Sequence, residues 1–397
     1  LTGHLTRRHC KAIHRLDRSR AGNGRDPADL QPARILVRAP NPLGDAVMAE
    51  PAIRAIAERF PDARLDVQIA RPLVPLARAW RFVGRVLPVH AGSRAVEKLD
   101  ILSTPLRLRR RRFDLGVVFP HAWRVAHQMA RARVPRRVGY ACEGRGPLLT
   151  DPIPLPAAPR RLHMIVYYWK LAETAWCGEV PARARLDAAA PSEVPRILAQ
   201  HPRTAPRVEP TDEMHDAADR LLRRAGIGGG PLAVIVPGSA NERAKRWPAE
   251  RFGALCGALT REFQHPCAIL GSRGERELGA TVREHAGTGP AVVDLTGRTD
   301  LGTLIGVLAR ATLFVGNDSG PAHLAAALGR PGVTLFGPTS AGHSGPVGPR
   351  MRTLHRPLPC SPCFEPQCPL GHHDCLRGLP VDEVVAAARR ALGGAAP

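Results

Sequence analysis

Val315-Gly316-Asn317-Asp318-Ser319-Gly320-Pro321-Ala322-His323 is the stretch from which the rest of the chain can be read. Ala311 to Gly316 is a short β-branched and apolar run, Asn-Asp-Ser-Gly is turn and N-cap chemistry, and Pro321 suits the first turn of a helix. The expected product is a strand, a tight turn and a helix N-terminus. Such a junction offers unpaired backbone N–H groups and the positive end of a helix dipole, a ready seat for a phosphate or diphosphate. His323, one turn in, would face the same anion. The plainer alternative is an ordinary βα turn with Asp318 as its cap.

Outward from this stretch the same alternation repeats. After it comes the strand Val333 to Phe336. Before it stand strand Leu232 to Val236 with the loop Pro237-Gly-Ser-Ala, a helix from Pro248 to Leu259, strand Cys267 to Leu270 leading through Gly271-Ser-Arg-Gly-Glu275 into a helix, strand Val292 to Leu295, and helix Leu301 to Arg310. An earlier series opens with strand Arg34 to Arg38, the loop Ala39-Pro-Asn-Pro-Leu-Gly-Asp45 and helical Ala46 to Phe60. It continues with Arg64 to Ala70, Asp114 to Phe119, helical Ala122 to Arg133, and Arg137 to Tyr140. A Pro-, Ala- and Arg-rich passage from Pro181 to Pro210 separates the two series. This predicts two α/β domains of Rossmann-like type, each a parallel sheet covered by helices, facing one another across a cleft. The boundaries fall at 34–205 and 206–375, with a basic extension over 1–33 expected to be disordered and a C-terminal helix within 376–397. Open sheets of this kind bind ligands at the carboxyl ends of their strands.

A chain of 397 residues is long for one core and suits two domains. It is 44% hydrophobic without an apolar run of spanning length, and its first thirty residues carry seven Lys or Arg, so neither a membrane span nor a signal peptide is expected. Charge is the anomaly: 57 Lys and Arg against 35 acids give +22, and residues 101 to 150 hold eleven Arg with only Asp114 and Glu143 as acids. An anionic partner follows, whether nucleic acid, an anionic membrane surface or a phosphorylated substrate. Aromatics at 4% and no stacking motif argue against single-stranded nucleic acid. A solvated Arg-rich face is the bland alternative.

Three loops of the second series carry anion-binding chemistry. Gly238 and Ser239 lie in a flexible turn, and Lys245 is within reach as a point charge for a diphosphate. Glu275, at a helix start, suits a ribose diol, although an ordinary first-turn acid reads the same way. No Asp-x-Asp pair occurs in the chain, so the usual carboxylates for a divalent metal at a diphosphate are missing, and Lys245 with helix dipoles would take that role. Four of nine cysteines, Cys360, Cys363, Cys368 and Cys375, fall in sixteen residues that also contain His372 and His373. That density points to a structural zinc, less often to an iron–sulfur site; reduced unliganded thiols remain equally open.

Asn41-Pro-Leu-Gly-Asp45, then Pro237-Gly-Ser-Ala followed by Lys245-Arg-Trp-Pro248, then Asn317-Asp-Ser-Gly320 followed by His323 resemble, in order and spacing, the motifs of the lipopolysaccharide heptosyltransferases. The likeness to this group, glycosyltransferase family 9, runs from about Arg34 to the C-terminus and is nearest its heptosyltransferase II branch; the Cys-rich tail is similar to one seen in some members.

The resemblance implies a GT-B fold and inverting transfer of heptose from ADP-L-glycero-D-manno-heptose to the lipopolysaccharide inner core, with no cofactor required. It implies Asp45 as the base that deprotonates the acceptor, Lys245 as the diphosphate lysine, and Gly238, Ser239, Glu275, Asp318, Ser319, Gly320 and His323 as donor-binding residues. Asn41 and Gly44 would stand on the acceptor side. So would the basic residues of the first domain, Arg109, Arg110 and Arg136 foremost, which would attract an anionic glycolipid and the inner leaflet of the inner membrane to a peripheral cytoplasmic enzyme. The alternatives are a transferase of the same fold with another acceptor, a non-catalytic nucleotide- or glycolipid-binding protein, or a basic nucleic-acid binder.

Overall fold

The computed structural model describes residues 31–90, 103–156, 158–175, 178–239, 243–287 and 291–393. Residues 1–30 of the expected disordered extension lie outside the described residues, as do 394–397.

Among the described residues the strands form two six-stranded parallel sheets. The first contains β1 (Arg34–Arg38), β2 (Arg64–Ala70), β3 (Arg85–Val89), β4 (Leu115–Val118), β5 (Arg136–Tyr140) and β6 (Asp151–Ile153), in the order β3-β2-β1-β4-β5-β6. The second contains β7 (Ala233–Val236), β8 (Cys267–Ile269), β9 (Val292–Asp294), β10 (Leu313–Asn317), β11 (Gly332–Phe336) and β12 (Met351–His355), in the order β12-β11-β10-β7-β8-β9. The two-lobed α/β architecture is the one the alternation predicts. In each sheet the order reverses beside a central buried strand, β1 or β7, and open sheets place their ligand crevice at that reversal. Residues of those central strands are apolar on both faces because helices cover both, as Ile35, Leu36 and Val37 show at 0% exposure.

The first helix, α1 (Leu43–Arg59), starts three residues before the predicted Ala46. Pro42 precedes it with an extended backbone. Leu43, Gly44 and Asp45 escape the hydrophobic period because they face the other lobe and not the sheet. The rest of α1 is buried from Ala46 to Ile56, packed against the helix Met164–Thr174 and the helix Gly320–Ala327. Within it Arg54 and Glu50 pair at 2.7 Å. Arg54 also donates to the Ala205 carbonyl at 3.0 Å, and Glu50 accepts the Arg207 N–H at 3.0 Å. The crossing chain is thus pinned to the first lobe by a buried ion pair, and the Val208 N–H to Ala327 carbonyl bond of 3.3 Å ties it to the second. Breaking such a pair on one side costs roughly 3–5 kcal/mol.

The C-terminal helix Val381–Leu392 buries Val384, Ala387, Ala388 and Ala391 in the core of the second lobe. Among the described residues no helix is long and apolar enough to cross a membrane.

Candidate active site

The opening stretch folds as read, with one change of role. β10 ends at Asn317, Ser319 is the N-cap residue in extended conformation, and the helix Gly320–Ala327 follows. Asp318 does not cap it. Its Oδ2 instead accepts from Lys245 Nζ at 3.2 Å and from Thr339 Oγ1 at 2.7 Å. Ser319 makes no side-chain cap bond, and its buried hydroxyl has no hydrogen-bond partner in the fold. A buried orphan hydroxyl beside a helix N-terminus is a vacant donor for an anion. His323 is buried, and burial pushes its imidazole down to about 4, with Asp318 opposing and Lys245 assisting. It therefore stands here as a neutral hydrogen-bonding group and not as a cation.

Asn317 stitches the loop after β7 to the turn after β10. Its Oδ1 accepts the Trp247 N–H at 3.1 Å and its Nδ2 donates to the Pro237 carbonyl at 2.7 Å. Lys245 is placed by the short 3-10 turn Arg243–Lys245 before fully buried Trp247. On the next loop the Glu275 carboxylate accepts the Ser272 N–H at 2.8 Å and the Ser272 Oγ–H at 2.7 Å, a capping box. A Cβ on Gly238 would overlap that carboxylate, so the turn after β7 and the turn after β8 touch only because residue 238 has no side chain. Glu277, the other acid nearby, is exposed on the helix Arg276–Glu284.

Across the gap, Asp45 sits in the first turn of α1, where its Oδ1 accepts the Tyr168 O–H at 2.9 Å. The simple helix-cap alternative fails, because Pro42 is the N-cap residue and no side chain caps this end. Burial pushes the Asp45 carboxyl above the ordinary carboxylate value; the Tyr168 bond and the Lys245 charge pull it down, and the Asp318 charge pushes it up. Lys245 and Asp318 belong to the second lobe, so the carboxylate feels the charges of that lobe directly. The lobes touch there: a Cβ on Gly44 would come within 2.9 Å of the His323 ring, and one on Gly320 within 2.8 Å of Leu43. Asn41, at the same end of β1, is exposed and accepts from the buried Arg38 guanidinium at 2.7 Å.

The three arginines expected on the acceptor side lie elsewhere. Arg136 is buried at the amino end of β5, bound to Asp151 at 3.1 Å and to the Thr174 carbonyl at 2.7 Å, so it holds the fold together and is not available to a substrate. Arg109 and Arg110 are exposed at the end of helix 103–110. The next residue, Arg111, accepts from Arg34 at the amino end of β1 with a bond of 2.7 Å, so this helix reaches the sheet at the end opposite Asp45. Local composition cannot tell a buried structural arginine from a free one. Tyr168 and Thr339 are the polar partners that sequence reasoning missed.

Cys360, Cys363, Cys368 and Cys375 line one pocket with His372 and His373. Yet among the described residues no group of three or more His, Cys, Asp or Glu side chains is arranged to hold a metal. Cys360 Sγ and His372 Nε2 are 4.0 Å apart, wider than the ~3.5 Å that zinc bonds of ~2.3 and ~2.0 Å at a tetrahedral angle imply. The structural-zinc expectation thus finds no support in this arrangement. What the loop does is brace the site. It takes the Ala244 N–H on the Pro366 carbonyl at 3.2 Å, gives the Phe364 N–H to Pro338 at 2.7 Å, and gives the Ser361 hydroxyl to Gly337 at 2.6 Å. Those contacts flank Lys245 on one side and Thr339 on the other.

The family model of glycosyltransferase family 9 (heptosyltransferase) matches residues 102–373. The chain is 28% identical over 323 residues to lipopolysaccharide heptosyltransferase 2 of Salmonella typhimurium, covering 81% of this chain and 87% of that one. Its fold is similar to that of Escherichia coli ADP-heptose lipopolysaccharide heptosyltransferase II, with TM-score 0.73 and 24% identity over 90% of this chain and 98% of the other. It also matches an E. coli heptosyltransferase in complex with ADP-2-deoxy-2-fluoro heptose, with TM-score 0.62 and 18% identity over 89% and 98%. Two facing six-stranded parallel sheets are the GT-B fold of these enzymes, and the chain belongs to glycosyltransferase family 9, the heptosyltransferases.

Proposed function

We propose that this chain is an inverting heptosyltransferase of the heptosyltransferase II type, moving heptose from ADP-L-glycero-D-manno-heptose onto an anionic inner-core lipopolysaccharide acceptor. Residues 34–205 form the acceptor-side lobe and 206–375 the donor lobe. The observation that carries this reading is the pairing across the gap: a carboxylate of one lobe, Asp45, within electrostatic reach of Lys245 and Asp318 on the donor turn of the other. In the reaction, the acceptor O–H bond breaks as its oxygen bonds the anomeric carbon, and the bond from that carbon to the ADP β-phosphate oxygen breaks. The proton passes to Asp45 and the electron pair leaves with ADP. Charge builds on the leaving diphosphate, where Lys245, the Ser319 hydroxyl and the N-terminus of the helix Gly320–Ala327 meet it. His323 would add a neutral donor, and Glu275 would accept from the ribose. None of these steps draws on a cofactor.

The test is transfer from ADP-heptose to defined truncated core acceptors, read by mass spectrometry. One added heptose on a heptose-bearing inner-core acceptor is expected. Transfer only to an unrelated acceptor would favour a sibling transferase of the same fold, and ADP binding without any transfer would favour a non-catalytic role.

Two further results are expected. Gly238→Ala, by displacing Glu275 and breaking its capping box, should lower stability by about 1 kcal/mol. It should also weaken ADP binding about tenfold in calorimetry on account of the lost ribose contact; unchanged affinity would remove Glu275 from the donor site. The second concerns the membrane. We place the enzyme at the inner face of the inner membrane, held by its basic surface. Arg109→Glu with Arg110→Glu should then reduce binding to anionic vesicles about tenfold or more in flotation assays, with ADP affinity unchanged, because both residues are exposed and remote from the donor loops. Undiminished vesicle binding would reject that surface.

A further inference from the structure

We infer that Tyr168 is the positioning residue for the Asp45 carboxylate. This rests on the reading of Asp45 as the acceptor's base and deepens it. Tyr168 stands on the helix Met164–Thr174, packed against α1, and is 5% exposed. Its ring is held by Phe119 at 5.6 Å between centroids and by Tyr167 at 5.8 Å, and Tyr167 in turn stacks on Tyr140 at 4.2 Å. All three tyrosines of the chain are therefore gathered behind one carboxylate. The outermost phenol reaches it at 2.9 Å, 123 residues away in sequence.

That bond does two things. By occupying Oδ1 it fixes the carboxylate rotamer and leaves Oδ2 to receive the acceptor proton. It also stabilises the carboxylate form against the burial that favours the protonated one. The phenol gives a hydrogen bond without giving up its proton, because burial, then the Asp45 charge, hold its own titration well above the ordinary tyrosine value. Once Oδ2 has taken the acceptor proton, Oδ1 still accepts from Tyr168, so the carboxyl keeps its place through turnover.

The experiment is Tyr168→Phe, which keeps the ring and its packing and removes only the donor, measured beside Asp45→Asn as a function of pH with saturating donor. Removing a bond to the charged form raises the carboxyl's titration point, so the acid limb of kcat should move to higher pH. The plateau rate should fall about 10- to 100-fold while ADP affinity and the circular dichroism spectrum stay as in the parent. A purely structural tyrosine would lower Tm without moving that limb. A folded Tyr168→Phe enzyme with the parental limb and rate overturns the proposal while Asp45→Asn stays about 100-fold or more below the parent; near-parental turnover by Asp45→Asn overturns the underlying reading instead. If Tyr168→Phe does not fold, the unsubstituted chain labelled with 3-fluorotyrosine replaces it. The more acidic phenol is a stronger donor, so the limb should move to lower pH, and an unmoved limb overturns the proposal.

Discussion

Asp45→Asn leaves ADP binding near the parental value and lowers transfer by roughly 10²–10⁴-fold, the range that a positioned general base contributes. The substitution is nearly isosteric, and the amide oxygen still accepts from Tyr168, so the 2.9 Å bond and the entry to α1 survive. What is lost is the capacity to take a proton. Titration gives the same argument a second readout. Burial raises the Asp45 carboxyl above its ordinary value despite the Tyr168 bond and the Lys245 charge, and catalysis needs the deprotonated form. Activity is therefore complete above that raised value and falls as pH drops through it, at a higher pH than for a solvated carboxylate. In Asp45→Asn this limb should be missing from whatever residual rate is measured. Substantial turnover by direct heptose transfer, or a residual rate with the parental limb, would assign the base elsewhere.

The residues behind that expectation were unequally legible. The buried strands β1, β4, β7, β10 and β11 read as apolar runs, and the turns that follow β1, β7, β8 and β10 were as plain, because glycine, proline and short polar residues there have local causes. β3, β6 and β12 passed unread. All three are edge strands, half-exposed in the case of β3 and β12, and β3 and β6 each contain a proline, so neither hydrophobic period nor β-propensity marks them. Asp45 could be found from its loop. Tyr168 could not, since its role exists only once two helices far apart in sequence pack together. Arg136 failed for a related reason: a run of basic residues reports charge but not which members the fold will bury, and Arg136 is buried against Asp151. Likewise the sequence around Asp318 reads as helix-cap chemistry, while the fold turns its carboxylate toward Lys245 and Thr339.

That pairing sets up the second large effect. Lys245→Met keeps much of the stem and removes the charge; kcat should fall about 10²–10³-fold, equivalent to ~3–4 kcal/mol, as when one preorganised donor facing developing negative charge is deleted. ADP affinity should weaken too, because Asp318 would then face the diphosphate without its cation at 3.2 Å. A double substitution separates the two causes. If Lys245 serves only to neutralise Asp318, Lys245→Met with Asp318→Asn should restore both affinity and rate, since the uncompensated carboxylate is gone and Thr339 can still bond residue 318. If Lys245 acts on the leaving diphosphate, the double variant regains ADP affinity but not kcat, because no cation meets the charge that grows as the glycosidic bond to phosphate breaks. We expect the second pattern. Steady-state kinetics paired with calorimetry on the four forms of this cycle decide between them, and recovery of kcat in the double variant would reduce Lys245 to a partner of Asp318.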